Sequence, residues 1–248
     1  MRNAFIYAAA FAVTGVAAHS APVDLSTWSS PEGGGSWTIA ADNNSVFQST
    51  NTPTPTTFFS GVDSQGLQLS GSITVESSGG DDDFIGFVLG YDAGDLVDDS
   101  ADYLLIDWKR GDQNAFGFAP AGLSISRVTG GVNTTEAWSH TGDVTELARG
   151  TTLGLIGWVP GQTYLFDLIF TSSLVQVRVD GVLELSVAGS FSDGSFGFYN
   201  FSQQGVRYAG LQEEIAPPVN GVVPLPAGLP LILTALGVLG LATRLRKT

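Results

Sequence analysis

Ten aspartates fall within the 32 residues from Asp81 to Asp112, at positions 81, 82, 83, 92, 95, 98, 99, 102, 107 and 112. Carboxylates held close together repel one another, and a hard cation relieves the repulsion; Ca²⁺ takes about 6–8 oxygen ligands from carboxylates, carbonyls and water. The densest group, Asp81-Asp82-Asp83, directly precedes the apolar run Phe84-Ile85-Gly86-Phe87-Val88-Leu89. A strand starting there fixes its acidic end in place, so Asp81, Asp82 and Asp83 are the candidate metal ligands and Ca²⁺ the candidate cofactor. The spacing is not that of an EF-hand loop, which runs D-x-[DN]-x-[DN]-G and closes on a glutamate. A solvated acidic face would have the same composition, and composition alone leaves both readings open.

Other chemistries lack parts. The chain has no cysteine, which removes thiol nucleophiles, thiolate zinc sites and disulfide staples. Of two histidines, His19 falls in the leader described below, so His140 stands alone and no multi-histidine zinc site can be built. Glycoside hydrolysis needs two carboxylates about 5–5.5 or about 6.5–9.5 Å apart. Strand alternation would supply them in a pattern such as E-x-D-x-x-E, which does not occur; Glu184 is isolated and Glu213-Glu214 closes the domain. No catalytic residue is assigned, and the expectation is a protein that is not an enzyme. Trp28, Trp37, Trp108, Trp138 and Trp158 have the ring faces to stack on sugars, but aromatic burial in a core accounts for each of them more simply.

These residues need a scaffold, and the periodicity says which kind. Short β-branched and aromatic runs alternate with Gly, Asp, Ser and Asn clusters, and no long stretch has helical period, which predicts an all-β sandwich or barrel. Strands are expected near Trp37-Ile39, Val46-Gln48, Leu67-Val75, Phe84-Tyr91, Tyr103-Lys109, Leu123-Val128, Tyr164-Phe170, Leu174-Val179, Val182-Val187, Ser195-Tyr199 and Val206-Leu211. Asp180-Gly181 between two valine-rich runs predicts a two-residue type I′ hairpin. The alternation Val175-Gln176-Val177-Arg178-Val179 implies one buried and one wet face, whereas the uniformly apolar Phe84–Leu89 implies cover on both sides. Thr50 to Thr57, with Pro53 and Pro55, reads as a loop, and Ala216 to Gly221 as a linker.

The two ends read as addresses. Arg2, an apolar run from Ala4 to Ala18 and small residues up to Ala21 predict a signal peptide over 1–20, cut after Ser20 within two residues. At the other end come VPLPA (Val223, Pro224, Leu225, Pro226, Ala227), an uncharged segment from Gly228 to Ala242, and then Arg244, Arg246 and Lys247. Fifteen helical residues span roughly 22 Å, short of the roughly 30 Å hydrocarbon core. That suits temporary retention in the inner membrane, with the cations on the cytoplasmic side; a permanent single-span anchor is the alternative. Between the ends, all 24 acidic residues but only six of the ten cations fall in residues 22–222, a formal charge of −18. Such a surface repels phosphates and excludes nucleic acid as a partner.

Two resemblances follow. The C-terminal segment is similar to the VPLPA variant of the PEP-CTERM sorting signal, which implies processing by an exosortase-type protease and transient membrane insertion in an exported, cell-surface or extracellular protein. The segments DDDFIGFVLGYDA (Asp81 to Ala93), YLLIDWKRGDQ (Tyr103 to Gln113), GLSISRV (Gly122 to Val128), AWSHTG (Ala137 to Gly142), IGW (Ile156 to Trp158) and GSFGFYNFSQQGVRYAGL (Gly194 to Leu211) resemble, in that order, the thrombospondin C-terminal domain. FFSGVDSQGLQLSGSITVES (Phe58 to Ser77) fits upstream of them. The resemblance covers about Asp24 to Glu214. It implies a concanavalin A-like, L-type lectin β-sandwich over 22–214, followed by a linker over 215–222 and the sorting segment over 223–248. It also implies calcium at Asp81, Asp82 and Asp83, and a turn role for His140. The expected function is calcium-assisted adhesion or matrix assembly with an unidentified surface or matrix protein or glycan. A lectin-like carbohydrate-binding module is the first alternative and a glycoside hydrolase the second. The family's upstream calcium-rich repeats are missing, and the acidic stretch between Tyr91 and Tyr103 is extra.

Overall fold

The computed structural model describes residues 20–76 and 80–217; residues 1–19 of the expected leader, the VPLPA motif and the apolar segment after it lie outside these. Among the described residues no helix is long and apolar enough to cross a membrane. In chain order the strands are β1 (Ala21–Pro22), β2 (Trp37–Ile39), β3 (Ser45–Gln48), β4 (Thr56–Phe59), β5 (Leu67–Val75), β6 (Phe84–Tyr91), β7 (Tyr103–Lys109) and β8 (Gln113–Asn114). There follow β9 (Phe118–Ala119), β10 (Gly122–Val128), the helix α1 (Thr134–Ser139), β11 (Val144–Arg149), β12 (Thr163–Phe170), β13 (Leu174–Val179), β14 (Val182–Ala188), β15 (Ser195–Phe201) and β16 (Val206–Ile215).

Period-two alternation sorts these strands into two antiparallel layers. The first sheet runs β14-β13-β12-β5-β16-β3-β2, with β1 added against β16; the second runs β11-β10-β7-β6-β15-β4, and β8 pairs β9 separately. Leu69, Ile73, Phe166 and Leu168 of the first sheet meet Ile85, Phe87, Leu104 and Ile106 of the second in one buried core, with the Phe87 and Phe166 ring centroids 4.6 Å apart. This is the lectin-like jelly-roll sandwich expected. The hairpin joining β13 to β14 turns on Asp180 (φ 50°) and Gly181 (φ 81°), both left-handed, as a type I′ turn demands.

β6 is buried along its whole length, and the reason positions the site. Its second face, with those of β7, β10 and β15, carries a second apolar layer that includes Phe84, Val88, Tyr103, Leu105, Tyr199 and Phe201. The segments after β6, β7 and β10 fold back over it and contribute Leu96, Ala119, Ala137 and Trp138. Six elements differ from the sequence expectation, three of them the two-residue strands β1, β8 and β9, too short to show alternation. β4 begins at Thr56, inside the stretch read as a loop; beyond Pro55 nothing removes a backbone donor, and Thr-Thr-Phe-Phe pairs with β15 at the edge of the sheet. β11 and α1 lie outside the expected strands, α1 because its six residues are too few to show a period.

Candidate functional site

α1 depends on its caps. Asn133 accepts from the Thr135 and Glu136 amides, and the Glu136 side chain returns to the Asn133 amide, a complete capping box. The helix ends at His140, which takes left-handed φ 48°, ψ 62°. A non-glycine residue held there marks a position fixed by its surroundings. This bend lays Trp138 and His140 over the second face of the sheet.

There His140 meets a residue of β7. Alternation directs Ile106 and Trp108 into the core and Asp107 and Lys109 to the opposite face. Asp107, 1% exposed, accepts at Oδ1 from Ser124 Oγ (2.8 Å), its neighbour on β10. Its Oδ2 lies 2.8 Å from His140 Nε2. The other ring nitrogen of His140 is 3.4 Å from Ser126 Oγ and 3.8 Å from Glu146 Oε2. Burial alone would depress the imidazole, but the Asp107 and Glu146 carboxylates outweigh it and raise its pKa to about 10. His140 is therefore an imidazolium at neutral pH. Glu146 is held below the usual glutamate range, chiefly by His140 and then by Arg149 against a burial penalty; Arg149 Nη2 is 2.8 Å away. Arg149 is itself anchored, donating from Nη1 to the Ala121 (3.1 Å) and Gly154 (3.0 Å) carbonyls.

Asp107, His140, Glu146 and Arg149, with Trp138, line a cleft of about 280 Å³. Phe118, on β9, stands at the cleft with 57% of its surface exposed, and Phe116 beside it is 46% exposed. Phe116 meets the Trp138 ring edge-on at 5.5 Å. The arrangement combines an accessible aromatic face with fixed donors and acceptors. Ser126, His140 and Asp107 stand in the order of a nucleophilic triad, but Ser126 is fully buried and a protonated imidazole cannot act as a base.

The five tryptophans are core or edge residues. Trp108, Trp138 and Trp158 are buried, while Trp28 and Trp37 are half-buried and pack on Phe58. The exposed rings belong to phenylalanines that sequence reasoning passed over. Asp107 had a legible signal, as a charged residue inside the apolar run Tyr103–Trp108. His140, expected in a turn, does occupy one, and it also carries charge into the cleft.

The acidic triplet divides among separate partners. Asp83, 5% exposed, pairs with Lys109 Nζ at 2.8 Å, and Lys109 is fully buried. Burial raises the Asp83 pKa, and the ammonium beside it opposes that rise. The Asp82 carboxylate accepts from Gln113 Nε2, and Asp81 Oδ2 accepts from Asn51 Nδ2 at 2.7 Å. Among the described residues no three His, Cys, Asp or Glu side chains are gathered so that they could hold a metal ion. Asp81, Asp82 and Asp83 do not fit Ca²⁺ in this arrangement: a cation already stands against Asp83, and the other two carboxylates have partners of their own.

Comparison with known proteins agrees with the architecture. The carbohydrate binding module CBM66 from Bacillus subtilis is similar at TM-score 0.50 and 10% identity, over 73% of this chain and 91% of that one. The VIP36 exoplasmic/lumenal domain in its Ca²⁺/Man3GlcNAc-bound form is similar at TM-score 0.51 and 14% identity, over 79% and 86%. Its metal-free form matches equally well, at TM-score 0.51 and 13% identity over 78% and 86%, so the likeness is one of fold and does not bear on metal. No curated protein matches the sequence. The family model of the thrombospondin C-terminal region matches residues 33–216, and the chain belongs to that family.

Proposed function

We propose that this chain is an exported, non-catalytic glycan-binding domain, with its binding site in the cleft between Phe118 and the His140–Glu146–Arg149 group. The observation that carries the reading is an exposed aromatic ring beside polar side chains that are each locked by a second partner. Sugars present both an apolar ring face and hydroxyls in fixed directions, and sites lined by aromatics with a few placed polar groups recognise such ligands. The sandwich neighbours that bind carbohydrate favour this reading over calcium-assisted adhesion. With Ser126 enclosed and His140 charged, the Ser126–His140 pair supplies neither nucleophile nor base, which supports binding over acyl transfer. Adhesion or matrix assembly is the use to which such binding would be put at a cell surface.

The purified chain applied to a glycan array should retain a defined set of sugars. Phe118→Ala should weaken that binding by about tenfold, the equivalent of roughly 1.4 kcal/mol, with the unfolding midpoint unchanged. An array without retention, or an unaltered affinity in Phe118→Ala, would refute the assignment. Export and sorting rest on the two terminal segments and are proposed on that basis. Deleting residues 223–248 should move the protein from the envelope fraction to the medium, and an unchanged distribution would count against it.

A further inference from the structure

The density of negative charge at the start of β6 calls for a counter-ion, and the chain holds one of its own. We infer that the Lys109 ammonium is a built-in replacement for a divalent cation at this strand edge, so that the Asp81–Asp83 segment is ordered without calcium.

Three oxygens converge on Nζ: Asp83 Oδ1 at 2.8 Å, the Asp82 carbonyl at 3.2 Å and Gln113 Oε1 at 2.6 Å. An ammonium has three protons to donate and no acceptor to satisfy, so this set saturates it. The remaining sides are closed by ring faces, Trp138 at 4.5 Å and Phe84 at 4.9 Å from Nζ. Aromatic faces attract an ammonium but offer no lone pair, whereas a calcium ion in the same place would be short of about half its 6–8 oxygens. The environment therefore favours the ammonium over the ion. Its position follows from the ladder: Lys109 stands directly across from Phe84 on β6, one residue beyond Asp83, on the face away from the main core. The Asp83 backbone is held as well, its amide donating to Gln203 Oε1 (3.1 Å) and its carbonyl accepting from Trp158 Nε1 (2.9 Å). Through Gln113 on β8 and Trp138 on α1, the same ammonium ties together the two segments that overlie this face.

The inference does not depend on what the cleft binds, and the test keeps the two apart by reading stability. Thermal unfolding of the purified chain should give the same midpoint in calcium and in chelator, and Lys109→Met and Asp83→Asn should each lower it. The double variant should lose less than the sum of the single changes, because removing both charges leaves neither one unpaired. An ion bound only to the native state at a hundredfold its Kd would raise the midpoint by about 5–10 °C. A rise of that size in the wild type, lost in Asp83→Asn, would overturn the inference. Should Lys109→Met fail to fold, the wild-type and Asp83→Asn comparison still decides the matter.

Discussion

His140 puts a charge where the fold has little water to solvate it, and the consequence is a pH dependence of known sign. Its pKa rises from 6.5 to about 10 on folding, so the folded chain binds a proton that the unfolded chain gives up. The stabilisation is fully present below about pH 6.5 and is lost as pH rises through about 10. The unfolding midpoint should therefore fall steadily between those limits. His140→Asn tests the assignment, since asparagine tolerates the left-handed conformation and removes the titrating group. The variant's midpoint should be flatter over the same interval, and an unaltered slope would place the titration elsewhere. The raised value also separates this histidine from a physiological pH sensor, which must change charge near neutrality.

At the scale of elements, the two sheets are joined by more than apolar contact. Tyr208 on β16 sends its hydroxyl through the core to the other sheet, within 3.0 Å of the Tyr199 carbonyl, 3.1 Å of the Gly86 carbonyl and 3.1 Å of Asn200 Oδ1. The Gly86 amide donates back to it at 3.3 Å. Gly86 cannot be replaced easily, because a Cβ there would lie 2.0 Å from the Ile106 carbonyl oxygen. Tyr208→Phe keeps the ring and leaves these buried groups short of a partner, so it should cost about 1–3 kcal/mol of stability, read by chemical denaturation. A cost near zero would mean that the hydroxyl contributes nothing net. The ring is legible in the sequence as an apolar residue of Val206-Arg-Tyr208, but its tether is not, because nothing local says that β16 faces β6. The same holds for Asp83 and Lys109, 26 residues apart and brought together by strand register. Alternation and the Asp180-Gly181 turn identified the sandwich and most of its strands. α1 is legible only as Asn133-x-x-Glu136, a capping signature followed by too short an apolar pattern to mark a helix.

At the scale of the molecule, charge distinguishes the cleft from its surroundings. The Asp, Glu, Lys and Arg residues of the region 22–222 sum to a formal −18, yet in the cleft the carboxylates Asp107 and Glu146 are matched by His140 and Arg149. A ligand in the cleft meets a locally balanced site, but it must approach through a negative field. A neutral glycan is indifferent to that field, and an anionic polysaccharide is repelled by it. Salt shortens the range of the repulsion, with a Debye length of about 10 Å at 0.1 M and about 3 Å at 1 M. The affinity for a neutral glycan should therefore change little across that range, while any binding of uronic acid or sulfated chains should strengthen as salt is added. Affinity chromatography on neutral and anionic polysaccharides at several ionic strengths measures both. Anionic binding that weakened with salt would instead locate a positive surface, and with six Lys and Arg residues in the whole region the domain has few side chains from which to build one.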